Sequence, residues 1–288
     1  MTSAPQGISA LPSSGKTARD ENFPVASLLL PARIRGHVKT FYRFARAADD
    51  IADSPALTPE EKLTALAALG SVLINGDGTG PVRAMRNSLA ETRVTAQHCR
   101  DLLRAFSQDA TKDRYASWEE LMDYCILSAA PVGRYVIDLH GGPGAAYFAS
   151  DALCCALQVL NHVQDCRKDY VALDRVYLPQ DWMQAEGAHC DTLSRKHAAP
   201  ALRRVLDRCL AGIEALLMQA QPLPAMVAST RLAMESSAIL AIARSLTRKL
   251  QRRDPIAQHV TLSRWQYLSC IASGTARTWW QRLLPPHS

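Results

Sequence analysis

The chain has 288 residues, 48% hydrophobic and 21% charged, which excludes a wholly disordered protein and leaves room for one large core. Lys and Arg number 33 against 27 Asp and Glu, a formal charge of +6, but seven basic residues and one acid lie from Arg248 onward. The first 247 residues are therefore neutral, which argues against a diffuse nucleic-acid-binding surface and confines the excess to the C-terminal segment.

Residues 1–20, rich in Ser, Ala, Pro and Gly and without the apolar core of a signal peptide, read as a flexible leader before a single domain over 21–288. A first helix is predicted from Ile34 to Asp53, with Val38, Phe41, Ala45 and Ala48 at three- and four-residue steps, stopped by Ser54-Pro55. Thr58-Pro59-Glu60-Glu61 combines a capping threonine, a first-turn proline and acids, and opens a helix to about Leu73. Further helices are expected over Gly80–Leu89, Ala96–Gln108, Trp118–Leu139, Tyr147–Tyr170, Leu193–Leu217, Met226–Gln251 and Leu262–Leu283. Pro131 should kink the Trp118–Leu139 helix beside Ser128, Ala129, Ala130 and Gly133, and Gly141–Gly144 should be a loop. Alternating strand patterns are nearly absent, so the expected fold is all-α, one bundle of roughly eight to ten helices. The longest uncharged stretch, Ala215 to Thr230, is too short to span a bilayer. Eight cysteines without CxxC pairs, two of them adjacent at Cys154 and Cys155, suit buried reduced thiols and a cytoplasmic protein.

Two acidic clusters carry chemistry. Tyr42, Arg46, Asp49 and Asp53 step by four, three and four and share one face of the first helix. Asp49 and Asp53 are separated by roughly 6 Å along the axis, a spacing at which both carboxylates can serve hard divalent cations. Arg46, a turn earlier, can hold phosphate oxygens; taken alone, the cluster reads equally as a solvated helix end. The second cluster places Asn161, Asp165 and Asp169 at four-residue steps, with Gln158 three residues earlier and Val159, Val163 and Cys166 on the other face. Such a stripe on an apolar-backed helix supplies oxygen ligands for Mg²⁺, while His162 and the cysteines fall off it and make zinc unexpected. Two stripes facing a shared cavity can clamp a diphosphate through several Mg²⁺ ions.

Asp49-Asp-Ile-Ala-Asp53 and the Asn161/Asp165/Asp169 stripe resemble the paired aspartate-rich motifs of the squalene/phytoene synthase family of head-to-head prenyl synthases. The resemblance extends over about residues 21–270, through Asn22-Phe-Pro-Val-Ala-Ser-Leu-Leu-Leu-Pro31, Tyr124-Cys-Ile-Leu-Ser-Ala-Ala-Pro-Val-Gly133 and Arg175-Val-Tyr-Leu-Pro179. It implies an isoprenoid-synthase-like helical bundle around a central cavity. It also implies two or three Mg²⁺ ions held with the diphosphate by Asp49, Asp53, Asn161, Asp165 and Asp169. Tyr42 and Arg46 would act beside Asp49 and Asp53 in catalysis, and Gln158, Asn161, Arg175 and Tyr177 would bind substrate. Tyr177 and Pro179 would also anchor the turn after the second motif.

The chain departs from the phytoene-synthase pattern at Asn22, where serine is usual, and at Gln164, where arginine is usual. Within the family, Phe41–Ser54 and Leu262-Ser-Arg-Trp265 look most like the bacterial members of hopanoid pathways, which ionise presqualene diphosphate and let water trap the rearranged carbocation. The implied substrate is thus an isoprenoid diphosphate. No Gly-rich dinucleotide loop follows a strand, so NADPH is not expected. Condensation of two farnesyl diphosphates to presqualene diphosphate, dehydrosqualene or squalene would use the same motifs, and a non-catalytic helical scaffold is the reading outside enzymes. No nucleic-acid partner is expected; other enzymes of the pathway remain open as partners. The basic C-terminal segment holds Trp265, Trp279 and Trp280, which suits peripheral contact with an anionic membrane as well as packing on the domain.

Overall fold

The computed structural model describes residues 30–76 and 78–283, so the leader and residues 22–29 of the Asn22–Pro31 motif lie outside the described residues. The described residues form helices and one isolated bridge between Arg114 and Val176, with no strand among them. Four helices make the first layer: α1 (Ala32–Ala52), α2 (Pro59–Asn75), α3 (Gly80–Thr92) and α4 (Gln97–Asp109). The start of α2 follows from its sequence. Glu61 N donates to Thr58 Oγ1 at 3.3 Å and Thr58 N to Glu61 Oε2 at 2.8 Å, a reciprocal cap worth about 1 kcal/mol.

The predicted Trp118–Leu139 helix is not kinked but divided, into α5 (Trp118–Ser128) and α6 (Ala130–Leu139). Pro131 has no N–H to donate and its ring excludes a continuous turn, so Ala129 takes φ −122° and α6 restarts with proline in its first turn. The long α7 (Tyr147–Leu173) follows. A short α8 (Gln180–Glu186), unforeseen from periodicity, comes next. The helix expected from Leu193 begins only at Pro200, as α9 (Pro200–Gln219), because the residues before it form a separate 3-10 turn over Cys190–Ser194. The helix expected from Met226 begins only at Thr230, as α11 (Thr230–Arg252), capped by Ser229 accepting from Leu232 N, and a separate short α10 (Leu223–Met226) precedes it. Finally α12 (Arg264–Leu283) lies along α11. The twelve helices described thus exceed the eight to ten expected, through breaks at proline and two short turns.

Two cores result. α1–α4 enclose Phe41, Phe44, Leu66, Met85 and Leu102, and Tyr135 of α6 stacks on Phe41 with ring centres 4.2 Å apart, joining the layers. The larger core lies between α5, α7, α9 and α11, where Val159, Val163 and Cys166 are buried as their face of α7 required. α12 approaches α11 closely at Gly274, where a Cβ would stand 2.7 Å from Ser237 O and from Ala238 N. All eight cysteines are free, with Cys155 and Cys166 buried.

Candidate diphosphate site and apolar cavity

Tyr42, Arg46, Asp49 and Asp53 line one side of α1 and are half-buried, as are Gln158, Asn161, Asp165 and Asp169 on α7. Arg46 donates from Nη1 to Asp49 Oδ2 at 2.6 Å and pairs with Asp50 at 2.9 Å, so its guanidinium holds the first acidic cluster in a fixed fan. On α7, Asp165 faces His259 Nδ1 at 3.5 Å and Lys168 Nζ at 3.9 Å. Among the described residues no three His, Cys, Asp or Glu side chains converge as a ready-made metal site.

The two clusters meet through a buried hub immediately after α7. That helix ends at Leu173 and is capped by Asp174, whose φ of 50° turns the chain back and sends Arg175, Val176 and Tyr177 into the interior. Arg175 donates from Nη1 to Asp53 Oδ1 at 3.2 Å and from Nη2 to the Asp109 carbonyl at 2.9 Å. Tyr177 donates to Asp109 Oδ1 at 3.3 Å, and Tyr124 to Asp109 Oδ2 at 2.9 Å. The Tyr177 ring stacks on His162, centres 3.5 Å apart, and on Tyr115. Arg175 and Tyr177, both expected to bind substrate, are thus buried, with Arg175 tying the first cluster to the hub.

The electrostatics of the hub follow from its burial. Burial pushes the Asp109 carboxyl up to about 7, against the pull of Arg175 and the Tyr124 hydrogen bond, and Asp53 and Asp49 push it further. Burial opposes the charge on Arg175, but Tyr177, Asp109 and Asp53 outweigh it and hold the guanidinium firmly protonated. Burial, with Arg175 nearby, takes His162 down to about 3, so it is neutral and serves as a stacking surface. Tyr177 is raised well above its ordinary value by burial first, then by Asp109, with Asp169 of α7 among the charges acting the same way. Asp53 from α1 and Asp169 from α7 therefore act on one hub.

Gln164, the departure from the family pattern, is buried and donates from Nε2 to the Val260 carbonyl at 2.6 Å. It ties α7 to the segment before α12.

Towards the earlier turns of the same two helices lies a cavity of about 210 Å³. Val38 of α1, Leu153 and Leu157 of α7, Val136 of α6 and Ile239 of α11 contribute to a mostly aliphatic lining. Leu157 precedes Asn161 by four residues, so the cavity begins roughly 6 Å along the axis from the acidic stripe. Gly133 opens this volume, since a Cβ there would press on Ser150 Oγ and stand 2.7 Å from Cys154 Sγ. Of the small residues around Pro131, Gly133 alone lines this cavity, beside Val132 and Val136 of the same helix. Asp109 and the polar members of the cavity wall were not legible beforehand. Asp109 ends an amphipathic helix like any surface acid, and only its contacts distinguish it.

The oxygen donors suit a hard divalent cation. Mg²⁺ is commonly held by one or two carboxylates together with substrate phosphates, and carboxylates carried on two separate helices match that habit better than a closed protein cage.

The sequence model for squalene/phytoene synthase matches residues 16–266. The chain is 45% identical to a hydroxysqualene synthase of Rhodopseudomonas palustris over 250 residues, 86% of each chain. It is 43% identical to a hydroxysqualene synthase of Sinorhizobium fredii over 256 residues, covering 88% of this chain and 87% of that one. Its fold superposes on the crystal structure of squalene synthase HpnC from Alicyclobacillus acidocaldarius with a TM-score of 0.71 at 31% identity, covering 79% of this chain and 87% of that chain. With acidic helices, buried hub and apolar cavity arranged along α1 and α7, the chain belongs to the squalene/phytoene synthase family.

Proposed function

We propose that the protein ionises presqualene diphosphate and that water captures the rearranged carbocation, giving hydroxysqualene and diphosphate. The observation that carries this reading is the continuity of the site. Carboxylates line the later turns of α1 and α7, and an apolar cavity lines the earlier turns of both. The 45% identity to a hydroxysqualene synthase favours water capture over condensation of two farnesyl diphosphates.

Asp49 and Asp53 on one side and Asn161, Asp165 and Asp169 on the other would hold two or three Mg²⁺ ions, which supply charge neutralisation for the departing diphosphate. Arg46 orients Asp49, and Arg175 orients Asp53 from the buried hub. Tyr42, one turn before Arg46, and Gln158, three residues before Asn161, would border the reacting carbons. The aliphatic walls exclude bulk water, which delays quenching until the carbon skeleton has rearranged.

The test is incubation of the purified protein with presqualene diphosphate, with Mg²⁺ or with EDTA, and with or without NADPH, followed by mass spectrometry of products. Hydroxysqualene formed with Mg²⁺ and without NADPH is expected, abolished by EDTA and restored by added Mg²⁺. Absence of diphosphate release from presqualene diphosphate or farnesyl diphosphate would refute the reading.

We further propose peripheral attachment to anionic membrane through α12. No helix among the described residues is long and apolar enough to cross a membrane. Trp265, Leu268, Trp279, Trp280 and Leu283 are all exposed on α12, with Trp265 82% accessible, and Arg264, Arg277 and Arg282 share the helix. Arg282 donates to the carbonyls of Pro224, Val227 and Ala228, which fastens the helix end beside Leu223 and Val227 of the cavity wall. Flotation with vesicles containing phosphatidylglycerol should retain the full chain and lose the Trp279→Ser/Trp280→Ser variant; equal flotation of both discards the idea.

A further inference from the structure

The wall of the apolar cavity contains a carboxylate. Glu235 and Ser236 of α11 and Ser150 of α7 line the same volume as the aliphatic side chains, and are 6%, 5% and 3% exposed respectively. Leu232, Glu235, Ser236 and Ile239 form one face of α11 at three- and four-residue steps, so the acid belongs to the cavity face of its helix.

A carboxylate removed from bulk water costs several kcal/mol before compensation, and packing alone would be served better by leucine or methionine. An aliphatic cavity of this size stays dry, whereas a water molecule needs two to four polar partners to be held in one. The three polar side chains supply them. Ser236 Oγ donates to the Leu232 carbonyl at 2.9 Å and keeps its oxygen available as an acceptor. Ser150 Oγ stands against the bare Cα of Gly133, on the side of the cavity where Gly133 leaves space.

We infer that Glu235, with Ser150 and Ser236, holds the water that captures the carbocation, and that the Glu235 carboxylate takes its proton. The inference rests on the ionisation proposed above. The carbon–oxygen bond to diphosphate breaks with its electron pair leaving on diphosphate. After rearrangement the water oxygen forms the new carbon–oxygen bond, and one water proton passes to Glu235, giving a neutral alcohol and a carboxylic acid. No oxidant or reductant is consumed. A single fixed water, rather than access to solvent, reconciles a cavity that must protect the cation with a product that contains a hydroxyl. Product identity therefore depends on Glu235 and Ser236 of α11 with Ser150 of α7, while leaving-group departure depends on the acidic stripes of α1 and α7.

The decisive measurement follows diphosphate release and product composition together, for wild type, Glu235→Gln and Ser236→Ala, with presqualene diphosphate and Mg²⁺. Glu235→Gln is expected to release diphosphate within about threefold of wild type, while the yield of hydroxysqualene per diphosphate falls at least roughly tenfold, as removal of a general base does. Proton-loss C30 polyenes should replace it. Ser236→Ala should shift the products in the same direction by a smaller factor. Unchanged hydroxysqualene per diphosphate in Glu235→Gln overturns the inference. If that variant fails to fold, unchanged composition in both Ser236→Ala and Ser150→Ala overturns it. Failure of wild type to release diphosphate instead refutes the ionisation itself, and the water site falls with it.

Discussion

Replacing Asp109 by asparagine isolates the cost of a buried charge at the hub. Asparagine keeps an acceptor oxygen for one of the Tyr124 and Tyr177 hydroxyls and offers an N–H to the oxygen of the other, and it leaves the backbone carbonyl that receives Arg175 unchanged. In the folded protein the Asp109 carboxyl is pushed by burial from 3.8 up to about 7. A carboxyl with a raised folded pKa binds a proton in the folded state that the unfolded chain has already released. Its contribution therefore favours folding least at high pH, and stability is lost as pH rises from about 4 through about 7. Integrating between pH 5 and pH 8 with those two values gives a loss of about 2.5 kcal/mol, close to a hundredfold in the folding equilibrium. Asp109→Asn removes this dependence. Urea denaturation of both proteins at pH 5, 6, 7 and 8 should give curves that diverge steadily, with the variant gaining about 2.5 kcal/mol relative to wild type across the range. Parallel stability profiles would refute the reasoning, because they would mean that Asp109 does not titrate between pH 5 and 8.

Two further substitutions probe the cavity and the α7 contact. Gly133→Val should overfill the space beside Ser150 and Cys154, costing about 1–3 kcal/mol and lowering Tm by several degrees, with diphosphate release reduced because cavity volume is lost. Circular-dichroism melting and product assays check it, and an unchanged Tm would show that α6 can move away from α7. Gln164→Leu removes the amide from the buried Val260 carbonyl and should cost about 1–3 kcal/mol in urea denaturation, with hydrogen exchange faster over residues 253–263. Local protection equal to wild type would show that this segment is held by other contacts.

Much of the architecture is written in local pattern. Thr58-Pro59-Glu60-Glu61 specifies a helix start through neighbours within one turn, and the structure has that cap. The apolar periodicity of α1 and α7 identifies which face is buried, and hence which face carries Tyr42, Arg46, Asp49 and Asp53, or Gln158, Asn161, Asp165 and Asp169. Where the predicted Trp118–Leu139 helix failed, proline was the reason. A proline announces an interruption, but whether the chain kinks, as expected at Pro131, or restarts as a separate helix depends on what packs against it. The residues before Pro200 and around Pro222 and Pro224 show the same ambiguity.

The sequence by itself determined the helical class, the two stripes of oxygen-bearing side chains and the location of the excess charge, because these depend on residue type at fixed helical spacing. Only the tertiary structure decided that Arg175 turns inward to join Asp53 with Asp109, that Gln164 holds Val260, and that Glu235 stands in an aliphatic wall. Those three facts depend on residues 66 to 122 positions apart in two cases, and on the joining of five helices in the third. Periodicity reports which side of a helix is buried; it carries no information about which other helix buries it, and the chemistry of this site lies in that pairing.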